Sequence, residues 1–399
     1  MKIAVYHNQP SGGARRALHG FCKELGMRHK LSVYSLTTAD QEMLRDESLT
    51  ASVIRFPYAR HKPIRGGLYL NDLFRRLDLA NLEASNREIA AHIDAGGYNV
   101  VLVDACRFTF VPYVLRFLKT PTVYYCHHRP RGFHEKPAST PGSVYEKARR
   151  LWHRPIERTL ERKIWRDDLA LVRMASKVVT NSAFNRARIE EIYDVRAAIC
   201  PPGVGLPERD ASGAGAKSDY VLSVGELETR KGHDLVIRSL GLLPSELRPP
   251  LHLVANGGNP AVRAELDLLA RASGVELIVR VLPPQDDLAA EYWGASIFLY
   301  GARQEPLGLA PLEAMAHRVP VVAVAEGGPL ETVQDGKTGY LVRRDAREFA
   351  ARVGSLLTDA SMRAEMGRAA REAVEARWTW PQRADALERE LESVARPTA

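Results

Sequence analysis

Ser296-Ile297-Phe298-Leu299-Tyr300 is an apolar run, and Glu305-Pro306-Leu307-Gly308-Leu309-Ala310-Pro311-Leu312-Glu313 follows it closely. The first stretch reads as a buried strand, the second as a loop that opens a helix. Glu305 falls in the loop and Glu313 in the helix's first turn. Proline is favoured at the first helical position, where its missing N–H needs no partner and its φ is preset. The helix is therefore expected to start near Pro311, with Glu313 at about its third position. The N–H groups of Leu309, Ala310 and Leu312, with Gly308 just ahead, then lie at a helix end without intrahelical acceptors. Such an end attracts an anion such as a diphosphate. Two fixed carboxylates beside it can accept hydrogen bonds from sugar hydroxyls, and the combination suits a sugar nucleotide. Capping and dipole effects would explain Glu313 equally well. They do not explain Glu305, which precedes the helix by several residues.

The same rhythm of short strands and amphipathic helices extends in both directions. Ile3–His7, Leu31–Leu36, Val100–Asp104, Thr122–Cys126 and Val178–Asn181 look like strands in the first half. Tyr220–Val224, Leu251–Asn256, Leu277–Val281, Ser296–Tyr300 and Pro320–Val324 repeat the pattern in the second. Alternation of this kind argues for βαβ units and parallel sheets. Cys200-Pro201-Pro202-Gly203-Val204 marks a boundary, and Ala211-Ser212-Gly213-Ala214-Gly215-Ala216 after it is too poor in large side chains to pack. The expected organisation is an α/β chain of two doubly wound Rossmann-like domains: 1–200, a linker over 201–218, and 219–378. A last helix over 379–399 is expected to cross back to the first domain. Ligands of such sheets bind at the carboxyl ends of the strands.

The chain has 399 residues and a net charge of +8, which favours anionic partners such as nucleotides, nucleic acid or acidic lipid. No apolar run approaches the ~20 residues of a membrane span. Met1–Tyr6 reads as a strand and lacks the apolar core of a signal peptide. Cys22, Cys106, Cys126 and Cys200 lie far apart, with neither zinc-site nor disulfide spacing. They read as buried thiols in a reducing cytoplasm.

Further segments could carry chemistry. Ser223–Asp234 follows a strand and opens a helix near Gly232, placing Arg230 and Lys231 where cations could neutralise a leaving diphosphate. A solvated surface pair is the alternative. Asn256-Gly257-Gly258 ends another strand and would let backbone approach a nucleotide closely. Gly327-Gly328-Pro329-Leu330-Glu331 follows the Pro320–Val324 strand, and plain turn chemistry fits both glycine pairs as well. His7-Asn8-Gln9-Pro10-Ser11-Gly12-Gly13 joins the first strand to the first helix, with N–H groups turned toward a ligand. It is not the G-x-G-x-x-G of a nicotinamide site. His127, with His128 as competitor, ends the strand that contains Tyr124 and Tyr125. Ser182 caps the helix that follows Asn181.

From Glu146 to Arg166 the residues Arg150, Arg154, Arg158, Arg162 and Arg166 recur every fourth position beside Ile156, Leu160 and Ile164, with Pro155 at a helix start or kink. The stripe reads either as a solvated helix face or as an attachment to anionic lipid. It lacks the interleaved exposed aromatics of a nucleic-acid surface, so no nucleic-acid partner is expected.

The Glu305–Glu313 segment, with its Pro-Leu-Gly-Leu and Glu-Ala-Met-Ala text, resembles the E-x7-E signature of the retaining glycosyltransferases of family 4. Lys231-Gly232 resembles the Lys-Gly that closes the same family's Gly-Arg…Lys-Gly element, although Glu226 stands where that element has Arg; Arg230 is placed to compensate. Gly12-Gly13 resembles its Gly-Gly loop, His127 falls at the position of its active-site histidine, and Arg280–Gln285 corresponds to its base-holding loop. The resemblance runs from Gly12 to the last helix.

It implies a GT-B fold and retaining transfer of a hexose from a UDP- or GDP-sugar to an acceptor hydroxyl, without a metal or other cofactor. It also implies that the two domains close over the substrates. Glu305 would bind the donor sugar, Glu313 the ribose, Lys231 and Arg230 the diphosphate, and His127 a hydroxyl of the transferred sugar. Gly12, Gly13, Asn256, Gly257, Gly308, Leu309 and Ala310 would line the donor pocket. The chain is expected in the cytoplasm, in solution or peripheral at the inner membrane face. The competing readings are a sugar-nucleotide epimerase or phosphorylase on the same fold, and a non-catalytic membrane-associated protein.

Overall fold

A computed structural model describes residues 1–10, 12–40, 46, 49, 51–64, 68–127, 159–207, 219–281 and 285–397. The chain divides into two compact units. One comprises Met1–Asn181, Asn185–Cys200 and Ala384–Ala399, the other Ser182–Phe184 and Pro201–Arg383.

In the first unit the main helices and strands follow in chain order as β1 (Lys2–Asn8), α1 (Gly13–Gly26), β2 (Lys30–Leu36), β3 (Ala51–Phe56), α2 (Leu68–Ala95), β4 (Val100–Cys106), β5 (Thr122–Cys126), a helix α3 over 159–172, β6 (Lys177–Thr180), α4 (Ala183–Tyr193, in this unit from Asn185 on) and β7 (Ala197–Ile199). The strands form one sheet in the order β3-β2-β1-β4-β5-β6-β7, and every pairing in it is parallel. Parallel strands covered on both faces read as unbroken apolar runs. Val100, Val101, Leu102 and Val103 of β4 are all fully buried, and fully burying such a side chain contributes about 1.5–3 kcal/mol.

The second unit repeats the plan with β8 (Val221–Val224), α5 (His233–Gly241), β9 (Leu251–Ala255), α6 (Pro260–Ala272), β10 (Leu277–Val281), α7 (Gln285–Gly294), β11 (Ile297–Tyr300), α8 (Leu309–Ala316), β12 (Val321–Val324), α9 (Pro329–Thr332), β13 (Gly339–Val342), α10 (Ala346–Thr358) and α11 (Ala360–Arg377). The sheet runs β10-β9-β8-β11-β12-β13, parallel throughout. Apolar clusters pack around it, one with Val236, Leu253 and Phe349, another with Phe298, Leu312 and Met315.

The last helix, α12 (Trp380–Glu392), buries Ala384, Leu387 and Leu391. Its residues Asp385 and Glu388 pair with Arg28 and His29 of the first unit, to which Ala384–Ala399 belong.

Strand order reverses at β1/β4 in the first sheet and at β8/β11 in the second. Those reversals are the switch points where doubly wound sheets open a crevice for ligands. Strands β3, β7 and β13 lie outside the runs read from sequence, and all three are sheet edges. The four cysteines are buried, and burial pushes the Cys22 thiol up to about 12.

Candidate active site

The second unit's switch point gathers most of the residues singled out in the sequence. The turn after β8 brings Lys231 Nζ to 3.0 Å from Glu305 Oε2, and Arg230 Nη1 lies 3.5 Å from the same oxygen. Backbone contact sets this convergence. Gly232 caps α5 with a left-handed φ of 65°, and a Cβ there would sit 1.9 Å from the Gly301 carbonyl oxygen. The Arg303 N–H donates to the Arg230 carbonyl at 2.8 Å. Arg230 also pairs with Glu226 at 3.1 Å and with Glu228. The side chain at the position where the family element has Arg therefore pairs with the neighbouring Arg230. Burial opposes the charge of Arg230, but the carboxylates of Glu305, Glu228 and Glu226 outweigh it and raise the guanidinium pKa.

His233, buried at the start of α5, supports the same turn. Its Nε2 lies 3.2 Å from the Glu226 carbonyl and its Nδ1 3.3 Å from the Ser223 hydroxyl. A carbonyl only accepts, so Nε2 donates and Nδ1 receives the Ser223 O–H. Burial pushes the His233 pKa down to about 4, so the ring is neutral at pH 7.

The helix beyond Glu305 begins earlier than the proline suggests. Gly308, at φ 83°, is the N-cap, and α8 starts at Leu309. Pro311 is then the third helical residue and Glu313 the fifth. Proline is tolerated there because first-turn N–H groups have no intrahelical acceptor in any case. This corrects the set of helix-end amides: Leu309 and Ala310 belong to it, and Leu312 lies beyond the first turn. Glu313 stands one turn further in and accepts from the Tyr292 hydroxyl at 2.8 Å. Tyr292 in turn stacks on the His317 ring.

The two glycine pairs do different work. The Leu227 N–H donates to the Gly257 carbonyl at 2.9 Å, and the Asn259 N–H to the Leu227 carbonyl at 3.0 Å. A Cβ on Gly258 would strike Leu227, whereas the space beside Gly257 is open. Asn256, just ahead, is half-buried. Gly327 and Gly328 pack onto the Glu305 loop: their Cβ atoms would lie 2.4 Å from the Glu305 carbonyl oxygen and 2.2 Å from that of Leu307. The Gly328 N–H donates to the Glu305 carbonyl at 2.8 Å. This pair supports the loop from beneath. Gln304, immediately before Glu305, is held at φ 44°, a left-handed conformation that costs a non-glycine residue roughly 1–3 kcal/mol.

In the first unit, Asp104 lies two residues before the end of β4. It lies 2.9 Å from Nε2 of His127 and accepts from the Gln9 amide at the end of β1. The His127 ring packs on Tyr125 at 4.5 Å, and its carbonyl accepts from Asn181 and Asn185. Gly12, at φ 134°, caps α1 and Gly13 begins it. A Cβ on Gly12 would meet nothing within 4 Å. Beneath the loop, Arg15 and Asp46 form a buried ion pair in contact with His7. His7 and Arg15 hold the Asp46 carboxyl well below the usual range against the effect of burial. Sequence reading gave no role to Asp104, Arg15 or Asp46. Their significance comes from the sheet order and from a contact between residues 31 positions apart.

Ser11, His128, Arg150, Arg154, Pro155, Ile156 and Arg158 lie outside the described residues, as do 208–218 of the linker and 282–284 of the loop after β10. Arg162 and Arg166 are exposed on α3. Among the described residues no helix is long and apolar enough to cross a membrane.

Two family models match the chain almost end to end. Residues 11–206 match "Glycosyltransferase Family 4" and residues 207–373 match "Glycosyl transferases group 1". The D-inositol 3-phosphate glycosyltransferase of Nocardiopsis dassonvillei is 32% identical over 225 residues, 51% of this chain and 52% of that protein. The GDP-mannose-dependent alpha-(1-6)-phosphatidylinositol monomannoside mannosyltransferase of Mycolicibacterium smegmatis is 33% identical over 249 residues, 57% of this chain and 63% of that protein. The matched stretch thus spans about half the length of the curated relatives.

Among solved structures, sucrose-phosphate synthase from Thermosynechococcus elongatus is similar with a TM-score of 0.73 at 20% identity, covering 98% of this chain and 99% of that one. Anabaena Alr3699/HepE in complex with UDP-glucose gives a TM-score of 0.70 at 18% identity, covering 98% of this chain and 100% of that one. The two Rossmann-like parallel-sheet units make up the GT-B architecture. The chain belongs to the family 4 glycosyltransferases.

Proposed function

We propose that the chain is a retaining, metal-independent hexosyltransferase that moves a sugar from a UDP- or GDP-sugar to an acceptor hydroxyl. The observation that carries this reading is the convergence of Lys231 and Arg230 on Glu305 at the β8/β11 switch point, next to the first turn of α8. Two cations and the amides of Leu309 and Ala310 suit the negative charge that grows on a departing diphosphate. Glu305 then exchanges its Lys231 partner for hydroxyls of the donor sugar. Glu313, oriented by Tyr292, accepts from the ribose. Asn256 and the open side of Gly257 let backbone approach the nucleotide.

The acceptor binds on the first unit, and Gly12 and Gly13 present their loop to the donor diphosphate as well as to the acceptor. His127, anchored to Asp104, takes the role that the family resemblance gives it, a hydrogen bond to the transferred sugar. In the proposed step the bond from the sugar's anomeric carbon to the phosphate oxygen breaks. The acceptor oxygen bonds to that carbon on the same face, and its proton passes to the leaving phosphate. The relatives support the donor class: one is named as GDP-mannose-dependent and one neighbour holds UDP-glucose.

Incubation with UDP-glucose or GDP-mannose, followed by product analysis, tests the reading. Release of free nucleoside diphosphate with a new glycosidic bond of retained anomeric configuration is expected. An isomerised nucleotide sugar would instead show an epimerase, and neither binding nor turnover a non-catalytic relative. An anionic membrane surface is the proposed partner of the 146–166 stripe. If neutralising Arg154, Arg158 and Arg162 leaves sedimentation with anionic vesicles unchanged, that partner is excluded.

A further inference from the structure

Glu326 and Arg344 meet by strand register. In the parallel pair β12/β13, Val324 lies opposite Val342, and two residues past each the side chains of Glu326 and Arg344 come side by side. The guanidinium grips the carboxylate as a fork, Nε to Oε1 at 2.9 Å and Nη2 to Oε2 at 2.9 Å. The same guanidinium reaches the Glu305 loop, donating from Nη1 to the Gly301 carbonyl at 2.8 Å and from Nη2 to the Ala302 carbonyl at 2.9 Å. Glu326 in turn accepts the N–H of Gln304. One ion pair therefore binds three of the four residues between β11 and Glu305, including the one held in a left-handed conformation.

We infer that Glu326 and Arg344 are a positioning pair, which fixes residues 301–304 so that the carboxylate of Glu305 faces Lys231. Neither side chain has a substrate contact in the proposed scheme; both act through Glu305. The planar fork is essential to the device. It serves two carbonyls and a carboxylate at once, and a lysine at 344 would keep the charge without that geometry. The consequence for turnover rests on the sugar-transfer reading; the clamp on the loop does not.

The test measures amide hydrogen exchange over 301–308, and donor turnover with UDP-glucose and GDP-mannose, in the full chain. The variants are Arg344→Lys, Glu305→Gln and the double variant. Glu326→Gln, which keeps its side chain's shape, replaces Arg344→Lys if that variant does not fold. The expected results are faster exchange over 301–305 and a loss of about tenfold in kcat, equivalent to about 1.4 kcal/mol of barrier. Affinity for free UDP or GDP, which carries no sugar for Glu305 to hold, should stay within about threefold of wild type. In the Glu305→Gln background, Arg344→Lys should add little, because its route is already cut. Unchanged exchange overturns the inference, and so does an equal loss in both backgrounds. If the wild type turns over neither donor, the sugar-transfer reading falls, and the exchange rates alone decide the clamp: faster upholds it, unchanged refutes it.

Discussion

Replacing Lys231 with Ala removes one of the cations that pair with Glu305. The side chains of Lys231 and Glu305 are 13% and 17% exposed and 3.0 Å apart. At an effective dielectric of ~20 their gross attraction is about 5–6 kcal/mol before desolvation. Little of that should be lost from the fold. Arg230 stands 3.5 Å from the same oxygen and supplies nearly as much, so the destabilisation should stay near 1 kcal/mol. Turnover should respond differently. A charged hydrogen bond to the leaving diphosphate is worth about 1.5–3 kcal/mol. If it strengthens as the bond breaks, its removal costs roughly 10- to 150-fold in kcat. Steady-state kinetics with UDP-glucose or GDP-mannose, alongside urea denaturation, separates the two effects. A Lys231→Ala enzyme that is folded and within about threefold of the wild-type kcat would refute the role given to this cation.

Other outcomes follow from the same geometry. Gly328→Ala forces a Cβ to 2.2 Å from the Leu307 carbonyl oxygen; overpacking of this kind should destabilise by about 1–3 kcal/mol and lower turnover by shifting Glu305, measurable by thermal unfolding and kinetics. His233 has its pKa depressed to about 4 against an ordinary 6.5, so the unfolded chain takes up the proton first. Its contribution is intact above pH 6.5 and is lost as pH falls toward 4, by about 2 kcal/mol at pH 5. Urea titrations at pH 7 and pH 5 should therefore show a smaller difference in His233→Gln than in wild type. With Lys231 and Arg230 neutralising the diphosphate, activity should survive excess EDTA unchanged; abolition reversed by a divalent cation would overturn the metal-independent mechanism.

The central strands were legible because burial on both faces leaves them as unbroken apolar runs, as in Ile297–Tyr300. The edges were not. Strand β3 pairs with β2 alone and carries Ser52 and Arg55, so it reads as a loop. Strand β13 opens with Gly339, where a Cβ would lie 2.2 Å from the Val321 carbonyl oxygen; a residue chosen for backbone approach looks like a breaker. Lys231 and Glu305 could be named because each lies in the loop that follows an obvious strand. Their pairing depends on backbone contact between Gly232 and Gly301. Gly308 starts α8 in a left-handed turn and overrides the cue from Pro311. Glu326 and Arg344 leave no local pattern, since only the register of β12 on β13 brings them together.

A crystal structure with bound UDP-glucose or GDP-mannose measures the main assertion without intermediaries. The diphosphate should lie against the amides of Leu309 and Ala310 with Lys231 and Arg230 on its oxygens, and Glu305 should hold hydroxyls of the sugar. A nucleotide sugar seated away from α8, or Lys231 still paired with Glu305 while the donor is bound, would contradict it.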